Sequence, residues 1–204
     1  MQKPAPTDHP IHELLRSRWS PRAFLPRPIA PATLHSLFEA ARWAPSSSNE
    51  QPWCFVVAPR DHAADFDRLL KTLAASNQRW AQNAGALVLC AARTGFERTG
   101  KPNAHAWHDC GLALAQLLVE ATSQGLSAHV MAGFDADLAR QACAVPAGFD
   151  PVTVTAIGHA GEPDSLPDEL RTRELAPRQR RPYHELVFLG TWGHPAPDAP
   201  DSAS

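Results

Sequence analysis

Apolar residues recur at helical spacing in several parts of this chain. One stripe at i, i+3, i+4 and i+7 predicts a helix from Pro31 to Trp43. The stripe consists of Leu34, Leu37, Phe38 and Ala41. The segment from His105 to Gln124 is apolar nearly all round, which predicts a long helix buried in the middle of the fold. Gly125 is a suitable residue to end that helix.

Shorter apolar runs between these segments predict strands. They cover residues 52–58, 86–92, 152–157 and 183–190. Short helices are expected over residues 12–18 with Leu14 and Leu15 inward, after a cap at Asp61, around Trp80, and after a cap at Asp135. Because helices outnumber strands and long connections separate the strands, the pattern predicts a mixed or partly parallel sheet.

Length and composition indicate a single globular domain spanning residues 1–204. The chain has 44% apolar and 20% charged residues and a net charge of -2, which excludes a disordered tail protein. No apolar run approaches the roughly 20 residues that a membrane span needs. The first residues lack a basic stretch followed by an apolar one, so we expect a cytoplasmic protein. Residues 1–9 and 194–204 are rich in Pro, Ala and Asp and are predicted to be loose.

Two groups of metal-ligating residue types lack the spacing of a metal site. Four cysteines lie far apart among apolar neighbours, which predicts buried free thiols. These are Cys54, Cys90, Cys110 and Cys143. His105, His108 and Asp109 lack a third spaced ligand, so the histidines are interpreted as solvated helix-start residues, with Asp109 favoured by the helix dipole. The sequence therefore predicts no metal site.

Two further motifs are incomplete. Residues 95–101 match G-x-x-x-x-G-K, but Pro102 stands where a P-loop requires a hydroxyl residue, and no G-x-G-x-x-G is present. The serines at 46–48 lack the surroundings of a nucleophile elbow, so we assign no catalytic nucleophile.

Arginine is the unusual component of the composition, because 16 of the 19 cationic residues are Arg and 3 are Lys. One cluster lies within residues 16–27, around Ser20, and a second within residues 171–181. Chain termini often lie close together, so the two clusters can form one site. Arginine, serine and loop amides suit a phosphate monoester. A solvated basic surface or a nucleic-acid patch remains an alternative, although the net charge and the lack of interleaved aromatics count against nucleic acid.

The segments RSRWSPRAFLPRPI and LFEAARWAPSSSNEQPWCFVV resemble the opening of the nitroreductase family of flavin enzymes. The family pattern is R-R-S-x-R-x-F followed by a helix that ends E-A-A-x-x-A-P-S-x-x-N-x-Q-P-W-x-F. The resemblance continues in DCGLALAQLLVEATSQGLSAHVMAGFD and in APRQRRPYHELVFLGTWG, so that it extends over residues 11–193.

The resemblance implies an α+β fold with a central, mixed but mostly antiparallel sheet surrounded by helices. It also implies FMN as cofactor and an intertwined homodimer with the flavins at the subunit interface. Arg18, Ser20 and Arg22 match the R-x-S-x-R that holds the phosphate and reaches the pyrimidine edge of the flavin. Arg178 and Arg180 match the basic pair that closes on the phosphate.

Other cofactor-binding positions follow from the same resemblance. Ala132 and Gly133 match a turn whose backbone amides face flavin N5 and O4, and Arg79 is a weaker match near N1. Trp19 departs from the pattern, since the family usually has Arg or His there, and only its backbone amide remains for the phosphate. The loop that a partner subunit lays over the flavin corresponds to Pro45, Ser46, Ser47 and Asn49.

The activity implied by the resemblance is hydride transfer from NADH or NADPH, through flavin N5, to a small-molecule acceptor such as a nitroaromatic, a quinone or an activated alkene. Both substrates share one flavin face, so a ping-pong mechanism is expected, and no side chain is assigned as acid or base. A different flavin reaction (substrate oxidation, dehalogenation or flavin breakdown) is the second interpretation. A non-enzymatic anion-binding protein is the third. We expect no nucleic-acid or membrane partner in the leading interpretation.

Overall fold

Four strands form one sheet in which every neighbouring pair is antiparallel. The computed structural model describes residues 1–196. The strands are β1 (Trp53–Pro59), β2 (Ala86–Arg93), β3 (Ser127–Met131) and β4 (Phe149–Gly158). Their order in the sheet is β1-β2-β4-β3. The expected α+β class is therefore confirmed.

Seven α-helices surround the sheet in the described part of the chain. They are α1 (Glu13–Ser17), α2 (Pro31–Arg42), α3 (Ala63–Leu70), α4 (Ala75–Ala81), α5 (Ala106–Ser123), α6 (Ala136–Ala142) and α7 (Asp168–Leu175). Pro31 begins α2, and Gly125 follows α5 with a positive φ of 72°, both as predicted. No helix within residues 1–196 is both long enough and apolar enough to cross a membrane.

The sheet separates two apolar cores, because successive side chains of a strand point to opposite faces. On β2, Leu87 and Leu89 face a core shared with α3, α4, α6 and α7. Val88 and Cys90 face a second core shared with α2 and α5. The continuous apolar run of β2 follows from this burial on both sides.

Parallel neighbours, which the long connections suggested, do not occur among residues 1–196. The register shows why the inference was wrong on this point. β2 and β3 run in the same direction and are joined through α5, but β4 lies between them and is antiparallel to both. A long crossover thus connects parallel strands without making them hydrogen-bonded neighbours.

Local predictions fail where tertiary contacts decide the conformation. The strand predicted at 183–190 is instead a 3-10 turn at Tyr183–Glu185, followed by a single bridge from Phe188 to Pro195. Intrinsic strand propensity does not suffice without a sheet edge to pair with. Conversely, β3 and α7 were not predicted, because apolar residues do not recur at a regular spacing in either segment.

Helix ends were predicted with mixed success. Asp135 caps α6, since its carboxylate accepts a hydrogen bond from the N–H of Leu138 at 2.9 Å. His62 occupies the position before α3 rather than Asp61, and its side chain makes no capping bond. On α1, Leu15 is exposed in the single chain rather than inward, because this five-residue helix lies at the surface.

The cysteines and the N-terminal segment also differ in part from expectation. Cys90 and Cys110 are buried, whereas Cys143 is half-buried and Cys54 is exposed, and all four thiols are free. The N-terminal residues, predicted to be loose, lie against α1, where the N–H of Ala5 donates to the carbonyl of Arg16 at 2.8 Å. Residues 197–204 of the predicted C-terminal tail lie outside the described part of the chain.

Candidate functional site

Arginines from the two ends of the chain line one pocket of about 280 Å³. The segment after α1 and the segment after α7 approach each other there. The sequence-predicted residues that line this pocket are Arg18, Trp19, Ser20, Arg22, Arg178 and Arg180. The proximity inferred from the two arginine clusters is thus observed in the structure.

Hydrogen bonds hold two of the guanidinium groups of this pocket. Arg18 donates from Nη1 to Oγ of Ser20 at 3.3 Å. Arg178 donates from Nη1 to the carbonyls of Lys3 at 2.8 Å and of Arg16 at 3.0 Å. Each of these bonds uses only part of a guanidinium, which has five N–H donors in all. Donors therefore remain for a ligand in the pocket.

The charges of the pocket favour an anion. Burial lowers the pKa of the Arg18 guanidinium, and the neighbouring Arg180 lowers it further. The pKa of Arg178 is lowered by burial and then by Arg18 and Arg180. Such shifts report cations that repel one another in a partly desolvated space. A doubly charged phosphate monoester, with several acceptor oxygens, would relieve this repulsion and use the free donors.

A buried carboxylate on α7 orders the first arginine segment. Both oxygens of Glu174 accept hydrogen bonds from the N–H of Arg22, at 2.9 and 3.0 Å, and one also accepts from the N–H of Ala23 at 3.1 Å. The Glu174 side chain is 1% exposed, and Nη1 of Arg22 lies 3.9 Å from it. Sequence reasoning missed Glu174, because a glutamate in the charged segment DELRTREL looks solvated.

A histidine on β3 contacts the same segment, at the carbonyl of Pro21. Nδ1 of His129 lies 2.9 Å from the carbonyl of Pro21, and its ring centroid lies 4.6 Å from that of Trp80. Burial lowers the pKa of His129 to about 4, so near neutral pH the imidazole is uncharged and donates to the Pro21 carbonyl. The sequence carried no signal for this role, because the contact joins residues 108 positions apart.

The turn predicted to face flavin N5 follows β3 directly. The carbonyl of Gly133 accepts hydrogen bonds from the N–H of Ala74 at 2.9 Å and from Nδ2 of Asn77 at 3.0 Å. A Cβ atom at Gly133 would lie 2.8 Å from that Nδ2, so the absence of a side chain permits this close approach. Both Ala132 and Gly133 are exposed. Arg79, on the neighbouring α4, forms an ion pair with Glu169, with 3.5 Å between the charged atoms.

The predicted loop of Pro45, Ser46, Ser47 and Asn49 lies at the start of α5. Within residues 1–196 no hydrogen bond or ion pair joins this loop to the arginine pocket, and Ser48 lines a separate cavity with residues 96–99. The loop and the arginine pocket are therefore not in direct polar contact within residues 1–196 of one chain.

A second buried carboxylate holds this loop. Oδ2 of Asp109 accepts a hydrogen bond from the N–H of Ser47 at 3.0 Å, and Oδ1 lies 3.1 Å from Nδ1 of His108. Asp109 is only 2% exposed, whereas His105 and His108 are exposed as predicted. Asp109 is buried because the loop containing Ser47 covers the start of α5. The loop is strained, with positive φ angles of 54° at Ser48, 55° at Asn49 and 50° at Gln51.

Comparison with known proteins finds a matching family in sequence and a similar solved structure. The sequence model described as "Nitroreductase family" matches residues 15–159. A solved structure described as an oxidoreductase containing FMN is 35% identical, with a TM-score of 0.87, and the match covers 92% of this chain and 96% of that one.

Two further relatives match over shorter regions. A 15.4 kDa protein in the ask 5′ region of Mycolicibacterium smegmatis, described as uncharacterized, is 40% identical over 133 residues, which are 63% of this chain and 88% of that protein. A protein of Rhodopseudomonas palustris (strain TIE-1), described as "Putative NADH dehydrogenase/NAD(P)H nitroreductase", is 28% identical over 153 residues, which are 66% of this chain and 76% of that protein.

Proposed function

The chain belongs to the nitroreductase family, and we propose that it is an FMN-dependent oxidoreductase. In this proposal NADH or NADPH donates electrons, and a nitroaromatic, a quinone or an activated alkene accepts them by a ping-pong mechanism. The observation that carries the cofactor assignment is the arginine pocket built from both ends of the chain. The similar solved structure, described as containing FMN, supports the same cofactor.

The residues of the pocket fit the phosphate of FMN. Arg18, Ser20, Arg178 and Arg180 would hold the phosphate, because they combine positive charge, a hydroxyl and free guanidinium donors. When bound, FMN supplies the hydride-transfer chemistry, for which no protein side chain is required. The protein then has to bind the FMN, orient its ring and polarise it.

Arg22 is the residue that we assign to the flavin ring. Glu174 fixes its backbone N–H, and Arg22 lines the arginine pocket. A cation beside the pyrimidine edge stabilises negative charge on the ring. The exposed turn at Ala132 and Gly133 offers backbone N–H groups, since within residues 1–196 the Gly133 N–H has no hydrogen-bond acceptor.

We further propose that the active form is a homodimer in which each subunit's loop at residues 45–49 completes the partner's site. Two observations support this. The loop is not joined to the arginine pocket within one chain, and large apolar side chains are exposed on that chain. Trp43 is 71% exposed, and Leu15 and Trp107 are also exposed. Analytical ultracentrifugation of the purified protein gives the mass that tests this.

The proposed function is tested first by the absorption spectrum of the purified protein and then by its activity with NADH or NADPH. The purified protein should show the flavin absorption spectrum and release FMN on denaturation. Under anaerobic conditions it should oxidise NADH or NADPH through repeated turnovers only when nitrobenzene or menadione is present. A flavin-containing protein that consumes neither nucleotide would instead perform a different flavin reaction. A colourless protein that fails to bind added FMN, and binds nucleic acid in a strongly salt-dependent way, would overturn the flavin assignment.

A further inference from the structure

The arginine pocket contains a cation that no motif predicted. Lys3 lines the pocket together with Arg18 and Arg178, although it lies 12 positions before the matched family region begins at residue 15. Its Nζ lies 5.1 Å from the centroid of the Trp19 ring. Trp19 is the position at which the chain departs from the family pattern of Arg or His. Lys3, from the N-terminal segment, therefore places a positive charge next to Trp19, which lacks the charge usual at its position.

Three contacts hold this lysine and its segment in place. Nζ of Lys3 donates to the carbonyl of Glu174 in the last turn of α7 at 2.5 Å. The carbonyl of Lys3 accepts from Arg178 at 2.8 Å, and the N–H of Ala5 donates to Arg16 at 2.8 Å. The ammonium is thus positioned by the same helix whose carboxylate fixes Arg22.

Lys3 keeps donors available for a ligand. An ammonium has three N–H groups, and the Glu174 carbonyl accepts one of them. The Trp19 ring face provides an electrostatic contact that uses no conventional acceptor. Burial lowers the pKa of Lys3, Glu174 opposes this, and Arg178 and Arg22 lower the pKa further. An anion in the pocket would offset the repulsion from the two arginines.

We propose that Lys3 is an additional phosphate-binding residue, which restores the positive charge that Trp19 does not supply and is positioned by the Trp19 ring and the end of α7. This inference rests on the proposed function, because it takes the phosphate to be that of FMN. It assigns a ligand-binding role to the segment before the family motifs begin.

The test compares two flavins that differ only in the phosphate. Apoprotein is titrated with FMN and with riboflavin, using the natural chain, Lys3→Met, Lys3→Arg and the control Lys71→Met. Lys71 is an exposed lysine at the end of α3 that pairs with Asp67. Lys3→Met should weaken FMN binding by about tenfold, as expected for loss of one partly exposed charge-assisted hydrogen bond. Riboflavin affinity should stay unchanged, and Lys3→Arg should keep most of the FMN affinity.

Salt dependence provides a second measurement. FMN affinity should fall less steeply with added NaCl in Lys3→Met than in the natural chain, since one cation fewer faces the phosphate. Equal FMN affinity in Lys3→Met and the natural chain would overturn the role of Lys3 while leaving the flavin assignment intact. Equal losses for FMN and riboflavin would also overturn it, by showing a structural role only. Failure of the natural chain to bind FMN would overturn the proposed function itself.

Discussion

The carboxylate of Glu174 accepts hydrogen bonds from the backbone N–H of Arg22 with both oxygens, at 2.9 and 3.0 Å. The two residues are 152 positions apart, and the contact is buried. It ties α7, which leads into the second arginine cluster, to the segment that bears the first. The geometry of the pocket therefore depends on a residue that contributes no positive charge to it.

Replacement of Glu174 by Ala should destabilise the fold markedly. The N–H groups of Arg22 and Ala23 would lose their acceptor in a buried environment, and we expect the free energy of unfolding to fall by about 2–4 kcal/mol. Glu174→Gln should cost less, because its amide oxygen can still accept one of these bonds. Urea denaturation followed by far-UV circular dichroism measures both variants.

Glu169→Ala serves as the control for this change, because Glu169 lies on the same helix but is exposed. Its ion pairs with Arg79 and Arg173 should contribute less than about 1 kcal/mol. Similar stability losses in Glu169→Ala and Glu174→Ala would show that the buried carboxylate has no special structural role.

Arg18→Ala should weaken FMN binding by a few kcal/mol, as when a charged hydrogen-bond partner is lost from a partly buried site. The guanidinium faces the pocket and contacts Ser20, so both the charge and the orientation of the hydroxyl are affected. Arg171→Ala is the matched control, since Arg171 pairs with Asp164 at the surface. Titration of each apoprotein with FMN gives the comparison, and an unchanged affinity in Arg18→Ala would refute the phosphate assignment.

Asp109→Ala should loosen the loop at residues 45–51. Without the carboxylate, the Ser47 N–H loses its acceptor while the strain at Ser48 and Asn49 remains. Hydrogen exchange of the Ser47 amide should accelerate by about tenfold or more, which corresponds to loss of roughly one hydrogen bond. Asp137→Ala, on the exposed side of α6, is the control. Unaltered exchange in Asp109→Ala would mean that other contacts hold the loop.

The sequence predicted those parts of the protein whose signals are local. The apolar stripe and Pro31 gave α2, and Asp135 gave the start of α6. Proximity of the two arginine clusters followed from their position near both termini and was confirmed. The family resemblance predicted the fold class and the candidate cofactor-binding residues.

The contacts that order the site were beyond sequence reasoning for a physical reason. Glu174 and His129 act on backbone groups of Arg22 and Pro21, more than 100 positions away. A backbone N–H or carbonyl is present at every position, so no residue pattern marks these partners. Asp109 lies 62 positions from Ser47, and only burial distinguishes it from an ordinary helix-start carboxylate.

His129 makes the stability of the fold depend on pH. Burial lowers its pKa from the ordinary 6.5 to about 4, with further lowering by Arg22 and Arg18, while the hydrogen bond to Pro21 opposes the shift. Between these two pH values the unfolded chain binds more protons at this residue than the folded chain. The free energy of unfolding must therefore fall as the pH decreases from 6.5 towards 4, by up to about 3 kcal/mol from this group.

His129→Asn should remove this contribution to the pH dependence. Asparagine does not titrate, and its side-chain amide can donate to the Pro21 carbonyl as Nδ1 of the imidazole does. Urea denaturation midpoints measured from pH 7 to pH 4 should fall less steeply for His129→Asn than for the natural chain. The exposed His35 provides the control, because His35→Asn should retain the natural slope. If His129→Asn keeps that slope as well, the pH dependence arises from other groups, and the imidazole is not held neutral by its burial behind Pro21.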